Sequence, residues 1–310
     1  PSLRLTDPTL RRMLRLTLDR TFALGITQVN LLITTTIAST LAAGSIAVVT
    51  FANNLQAVPL GLFGLSYAIA AFPVLAAARG DPERFVSRLS QTARQILFFI
   101  IPASVLLVVL REPIVRAVLG SGRFDWQDTY LTMEALAWFS ASLFAQSLTP
   151  LLARACYARE DSRTPLVASL VSEAVNLAAV LLLVRQLGVA GLALAFSLSN
   201  VVNCLLLWLA LRRQVGGLDE PAVWRSLWRI LVASALSGLA AWGVWALLAP
   251  QLGEQTWVAV ALTGGSAALA GVIAYAATSL ALGLPEARHL WSSLRRRLPV
   301  TIDEPIPEAE

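Results

Sequence analysis

The chain has 310 residues, of which 56% are hydrophobic and only 14% charged, with a mean hydropathy of +0.68. That balance excludes an ordinary soluble domain and indicates an all-α polytopic membrane protein. The formal charge of +5 comes from 24 arginines against 19 acids with no lysine, and the arginines lie between apolar runs rather than on one clustered face, which argues against nucleic acid as a partner.

Residues 1–19 place Arg4, Arg11, Arg12 and Arg15 among leucines, the pattern of a basic amphipathic segment at an anionic membrane surface. The sequence begins at Pro1 with neither Met nor a signal peptide, and a preceding segment is expected. The first apolar run, Thr21 to Ala43, carries a polar stripe of Gln28, Asn30, Thr34, Thr35 and Ser39.

The second run, Ser45 to Ala78, has no Asp, Glu, Lys or Arg in its 34 residues. A straight helix of that length exceeds the roughly 30 Å hydrocarbon core, so it must tilt, bend or emerge. Pro59 is the expected bend, because proline removes a backbone donor and clashes with the preceding turn. Gly61 and Gly64 follow as a flat, closely packable face. The adjacent amides Asn53 and Asn54 lie before the bend, and they serve either as glue between helices or as lining of a wet cavity.

A polar connection from Arg79 to Arg94 leads to a third helix, Gln95 to Leu110, bent at Pro102. The longest internal loop is expected from Arg111 to Asp128, on the turn signal GSGRFDWQD. A fourth helix, Thr129 to Tyr157, contains Pro150 and carries Glu134 near its start. The fifth, Pro165 to Val184, contains Glu173 and Asn176, and the sixth runs to Leu211 with Ser197, Ser199, Asn200 and Asn203. Two further spans, Ser226 to Ala249 and Gln255 to Leu282, complete eight. The segment TGGSAALAGVIA on the last suits either close helix approach or a lipid-lined groove.

The expected organisation is therefore a basic segment (1–19), a six-helix lobe (20–213), a linker (214–225), a terminal helix pair (226–283) and an interfacial helix with an acidic tail (284–310). With both termini cytoplasmic, only Arg111, Arg116, Arg123 and Arg185 fall outside, a strong positive-inside bias. Trp224, Trp228, Trp242, Trp245 and Trp257 follow the aromatic-belt pattern.

Catalytic chemistry finds little to work with. Cys156 and Cys204 have no ligand spacing and read as small core residues, and His289 stands alone in the tail, so no metal site or histidine-based catalytic site assembles. Glu134 and Glu173 are the only carboxylates in the apolar spans. An ionisable group at membrane depth is a transport feature by default, and Glu173 with Asn176 one turn further on could carry a proton or help hold a cation. The reading is a transporter rather than an enzyme.

Several segments carry a resemblance. NLLITTTIASTLAAGSIAVVTFANNLQAVPLGLFGLSYAIAAFPVLA, GSGRFDWQDTYLT, LARACYAREDSRTP and GVAGLALAFSLSNVVN closely resemble, in order, the C-terminal half of the MurJ (MviN) lipid II flippases, within the superfamily of multidrug exporters and O-antigen flippases. The resemblance implies helices seven to fourteen of a fourteen-helix fold, with an N-terminal six-helix lobe not included. It implies outward movement of the undecaprenyl-linked peptidoglycan precursor in the bacterial cytoplasmic membrane by alternating access. Expected partners are that lipid, membrane lipids, the other lobe and cell-wall synthesis enzymes; no cofactor is expected, and coupling to Na+, H+ or the membrane potential is.

The resemblance also places Asn53, Asn54 and Ala57 where many relatives have an Asp-Arg pair and a further acid. Together with Asn30 and Gln56, the two amides are expected to line the substrate cavity. A cation site of some relatives maps onto Thr34, where they have an acid, and onto Asn176, with Glu173 as a replacement carboxylate. Two alternatives accompany this reading: a non-transporting scaffold or degenerate flippase half in the cell-wall machinery, and a flippase for another lipid-linked oligosaccharide.

Overall fold

A computed structural model of the chain describes residues 32–119, 126–252 and 256–288, with Thr21, Gly25 and Gln28. The basic segment 1–19, Asn30 and the tail from His289 lie outside the described residues. All regular structure among the described residues is helical.

Residues 32–39 are helical, and a turn at 40–44 leads into α1 (Ser45–Pro59). A π-helical stretch, Leu60–Leu65, and α2 (Ser66–Ala77) continue the same span. Pro59 supplies no N–H to the ladder, and the register widens immediately after it: Ser66 Oγ reaches back five residues to the Gly61 carbonyl at 2.9 Å. After Pro59, where the bend is expected, the span carries a π-helical stretch. Gly64 is buried there, and a Cβ on it would lie 2.8 Å from Ser147 Oγ, whereas Gly61 faces open space.

α3 (Pro82–Val109) begins well before the expected Gln95, because Asp81 caps it by accepting from the Arg84 amide at 3.1 Å and Pro82 occupies the first turn. The stretch 111–119, expected as loop, is a short helix, α4 (Arg111–Leu119), with a glutamate in its first turn and an arginine in its last. The expected fourth helix is broken into α5 (Trp126–Ala141) and α6 (Leu143–Ala158), which meet at 43°. The break falls at Ser142 and not at Pro150.

α7 (Arg163–Leu187) and α8 (Val189–Val215) form a tight antiparallel hairpin. Gly188 makes the turn with φ of 55°, and Gly191 lets α8 approach the Leu183 carbonyl to 2.7 Å from where a Cβ would stand. α9 (Glu220–Leu252) starts six residues earlier than expected, taking in part of the anticipated linker, and α10 (Trp257–Ala281) is capped by Thr256.

Six of these spans are long and apolar enough to cross a membrane, or seven when the bent α5–α6 pair counts as one, among the described residues. The first apolar run is described only in part, so eight spans are not reached here.

The largest buried core joins α2, α3, α6, α8, α9 and the end of α10 around Phe85, Leu89, Ile96, Leu151 and Leu207. Phe63 stacks on Phe99 with centroids 4.6 Å apart, fixing the π-helical segment on α3. α9 and α10 pack on each other and together on α3. The small-residue segment of α10 resolves as close approach: Ser237 donates to the Gly271 carbonyl at 2.7 Å. Beyond α10, Glu286 accepts from Ser226 at 3.2 Å and pairs with Arg94 at 3.5 Å, tying the end of the pair to α3.

Candidate functional site

Two cavities lie on opposite sides of the break between α5 and α6. The first, about 340 Å³, gathers several polar side chains, but apolar groups supply most of its surface. Thr34, Thr35, Thr50, Asn53, Glu173 and Asn176 are among its polar lining residues, and Ala38, Ile46, Val49, Phe139, Leu192 and Phe196 are the apolar ones. Segment 32–39, α1, α5, α7 and α8 all contribute. Glu173 is the one ionisable side chain among its described lining residues; it is half-buried, while Asn176 one turn along is 2% exposed. Glu173, Asn176 and Thr34 each bring an oxygen donor to this pocket.

The structure therefore brings Thr34, Asn53, Glu173 and Asn176 to one pocket and separates others from it. Asn54 is exposed and outside the pocket lining. Gln56 is 1% exposed and packed between helices. It donates to Asn53 Oδ1 at 2.9 Å and accepts from Gln146 Nε2 at 2.9 Å, so it stands behind the cavity wall.

The second cavity is a groove of about 610 Å³ between α3, the α5–α6 break, α8 and the start of α9. Its walls are apolar along nearly the whole length: Leu97, Ile101, Val105, Phe144, Leu205 and Leu231 face into it, and no residue of α10 does. At one end Trp208 and Trp224 flank Glu220, which pairs with Arg212 at 2.9 Å. An apolar trough open to hydrocarbon with aromatic and charged groups at one mouth can hold a lipid chain.

Sequence reasoning missed Gln146 and Ser142, which hold the break, and Phe139, which lines the first pocket; Ser197, named only as a polar residue of the sixth helix, holds the break as well. Gln146 had a usable signal: it is a polar residue deep within an otherwise apolar run.

A family profile described as Lipid II flippase MurJ matches residues 1–263. The chain belongs to the MurJ family. A MurJ protein of Rhizobium meliloti (strain 1021), named "Probable lipid II flippase MurJ", is 34% identical over 236 residues, covering 75% of this chain and 44% of that one. A Vibrio cholerae relative of the same name is 28% identical over 287 residues, covering 90% of this chain and 53% of its own. A solved structure, "Lipid II flippase MurJ, inward closed conformation", superposes with a TM-score of 0.69 at 22% identity, covering 89% of this chain and 53% of that chain, a likeness of fold. The chain spans about half the length of the curated MurJ relatives it matches.

Proposed function

We propose that this chain is the C-terminal part of a lipid II flippase, moving the undecaprenyl-linked peptidoglycan precursor from the inner to the outer leaflet of the bacterial cytoplasmic membrane by alternating access. The observation that carries this reading is the pairing, across one broken helix, of a pocket that holds a carboxylate, amides and hydroxyls with an almost wholly apolar groove, the two environments that suit an amphiphile with a polar head and a long tail. In this reading Asn53 meets the head group, the groove takes polyprenyl tail, and an N-terminal lobe closes the cavity from the other side. The arrangement is eight spans, six in a lobe and two appended, with both termini cytoplasmic, supported by the distribution of arginines. Thr34, Glu173 and Asn176 form the coupling site, supported by their presence in one pocket.

The test is rescue of cells depleted of their lipid II flippase by the intact gene product. Restored growth with lipid II reaching the outer leaflet supports the reading; a membrane-inserted protein that restores neither overturns it. Vesicle competition with another lipid-linked oligosaccharide identifies the cargo.

A second reading, a non-transporting scaffold, is favoured by the uncharged amides Asn53 and Asn54, at positions where the resemblance implies an Asp-Arg pair, since an amide does not neutralise a pyrophosphate. Asn54→Arg separates the two. Flipping gained from a silent parent marks a degenerate transporter, and full activity in the parent excludes the scaffold.

A further inference from the structure

The break between α5 and α6 has neither proline nor glycine at its apex; residues 140–143 read Ser-Ala-Ser-Leu. A 43° bend at such a sequence releases carbonyls from the helical ladder, and in an apolar surrounding those carbonyls need other donors. Side chains supply them. The Trp138 carbonyl accepts from Ser197 at 2.7 Å and the Ser140 carbonyl from Ser104 at 2.6 Å. The Phe139 carbonyl accepts from the Ser142 amide at 3.2 Å, and also from the Ser142 hydroxyl at 3.1 Å and Gln146 at 3.3 Å. The bend is thus held from α3, from α8 and by Gln146 on α6 itself.

Of these groups Gln146 alone also reaches toward the polar pocket. Its Nε2 lies 2.9 Å from Gln56 Oε1, 3.0 Å from Ser142 Oγ and 3.3 Å from the Phe139 carbonyl. A primary amide has two protons, so three acceptors compete for two donations. Gln56 in turn donates to Asn53 Oδ1 in the pocket wall. The bend stands between the two cavities: Phe139 lines the polar pocket, and Ser140, Ala141 and Phe144 line the groove.

We propose that Gln146 is a positioning residue that couples the polar pocket to the apolar groove, holding Asn53 through Gln56 while sharing the same two protons with the hydroxyl and carbonyl of the bend. A group that takes Asn53 Oδ1 releases Gln56, Gln146 turns its protons to Ser142 and Phe139, and the bend that walls the groove resets. This role rests on the flippase reading only for what occupies the pocket; the coupling needs no cargo.

Native cysteines provide the readout. Cys204 lines the groove, while Cys156 is buried on α6 outside both cavities. In membranes carrying the intact gene product with Cys156 and every other cysteine except Cys204 replaced by alanine, the alkylation rate of Cys204 by N-ethylmaleimide is measured with and without Asn53→Leu. The expected change is about five-fold or more, the lower end of ordinary site-to-site coupling. Gln146→Met, which keeps volume and removes both donors, is expected to abolish the response of Cys204 to Asn53→Leu, and Gln56→Met is expected to do the same. A merely structural Gln146 would shift the Cys204 rate by a constant factor and leave the response intact. The proposal is overturned if Asn53→Leu leaves Cys204 unchanged, or if its effect persists in both methionine variants. Either result together with full flippase rescue leaves the proposed function standing, so the two failures are distinguishable.

Discussion

Tyr275 on α10 donates its hydroxyl to the Phe98 carbonyl on α3 at 2.6 Å, and Phe98 is the residue whose carbonyl Pro102 deprives of a helical partner. Proline at i+4 supplies no N–H, so the carbonyl would be orphaned within the core, and a side chain from the terminal pair fills the vacancy. The carbonyl left open by Pro102 in one helix thereby becomes the docking point for another. Both residues are buried, and their rings also meet at 5.2 Å.

Tyr275→Phe keeps the ring and removes the donor. The expected loss is about 1–3 kcal/mol, the cost of leaving one buried carbonyl unpaired. Pro102→Ala restores an N–H to Phe98, so in that background Tyr275→Phe is expected to cost less than about 0.5 kcal/mol. Thermal or denaturant unfolding of the four proteins checks the cycle. Equal losses in both backgrounds would sever the link between Pro102 and Tyr275.

Gly271 and Gly265 occupy the same helix and differ in what surrounds them. A Cβ at Gly271 would stand 2.6 Å from Leu106 and 3.1 Å from the Ala241 side chain, in the seam where Ser237 bonds its carbonyl; at Gly265 it would meet nothing within 4 Å. Gly271→Ala is expected to destabilise by about 1–3 kcal/mol through overpacking, and Gly265→Ala to be neutral or stabilising because alanine costs less in a helix. Comparing melting temperatures of the two variants decides it.

The apolar spans were legible because long uncharged runs admit few alternatives in a bilayer, and Thr34, Asn53, Glu173 and Asn176 stood out as polar residues within them. The break at Ser142 was not legible. Pro150 carries the local signal for a kink in that helix, but the bend arises from tertiary donors, Ser104 and Ser197, that lie 36 and 59 residues from the carbonyls they satisfy. The early start of α3 was hidden by its charge: Arg79 to Arg94 reads as a polar connection until the Asp81 cap and Pro82 are weighed as helix-start signals. Gln56 reads as a cavity residue by its neighbours, yet helical rotation turns it inward.

Asp161, between α6 and α7, gives a pH dependence. Burial pushes its carboxyl upward, but the Thr164 hydroxyl and amide, Gln214 and the nearby Arg159 charge more than offset that and hold it below the usual carboxylate range. A carboxyl depressed in the folded state contributes stability that is fully present above its unfolded pKa and is lost as pH falls through the folded one. Stability should therefore be flat from neutral pH down to about 4, the ordinary carboxylate value, and decline below it. Asp161→Asn is expected to flatten that acid limb while lowering stability at pH 7, read by melting temperature across pH. An unchanged acid limb would show that other carboxylates control it.

Glu173 carries the sharpest functional expectation, because it is the one ionisable side chain among the described residues lining a pocket of amides, hydroxyls and apolar groups. A carboxylate at that depth can exchange a proton or hold a small cation, and a glutamine of the same shape can do neither. Contacts to a charged group are worth about 1.5–3 kcal/mol, so Glu173→Gln should slow flipping about 10- to 100-fold if that charge cycles during transport. Its melting temperature should stay close to the parent's, since half-buried Glu173 and glutamine pack alike. Lipid II externalisation in depleted cells measures the rate, and vesicles prepared with imposed pH or Na+ gradients identify the ion. Loss of the response to one gradient in Glu173→Gln assigns that ion to this pocket. A variant that flips at the parent's rate under both gradients would remove Glu173 from coupling and leave the membrane potential as the driving force.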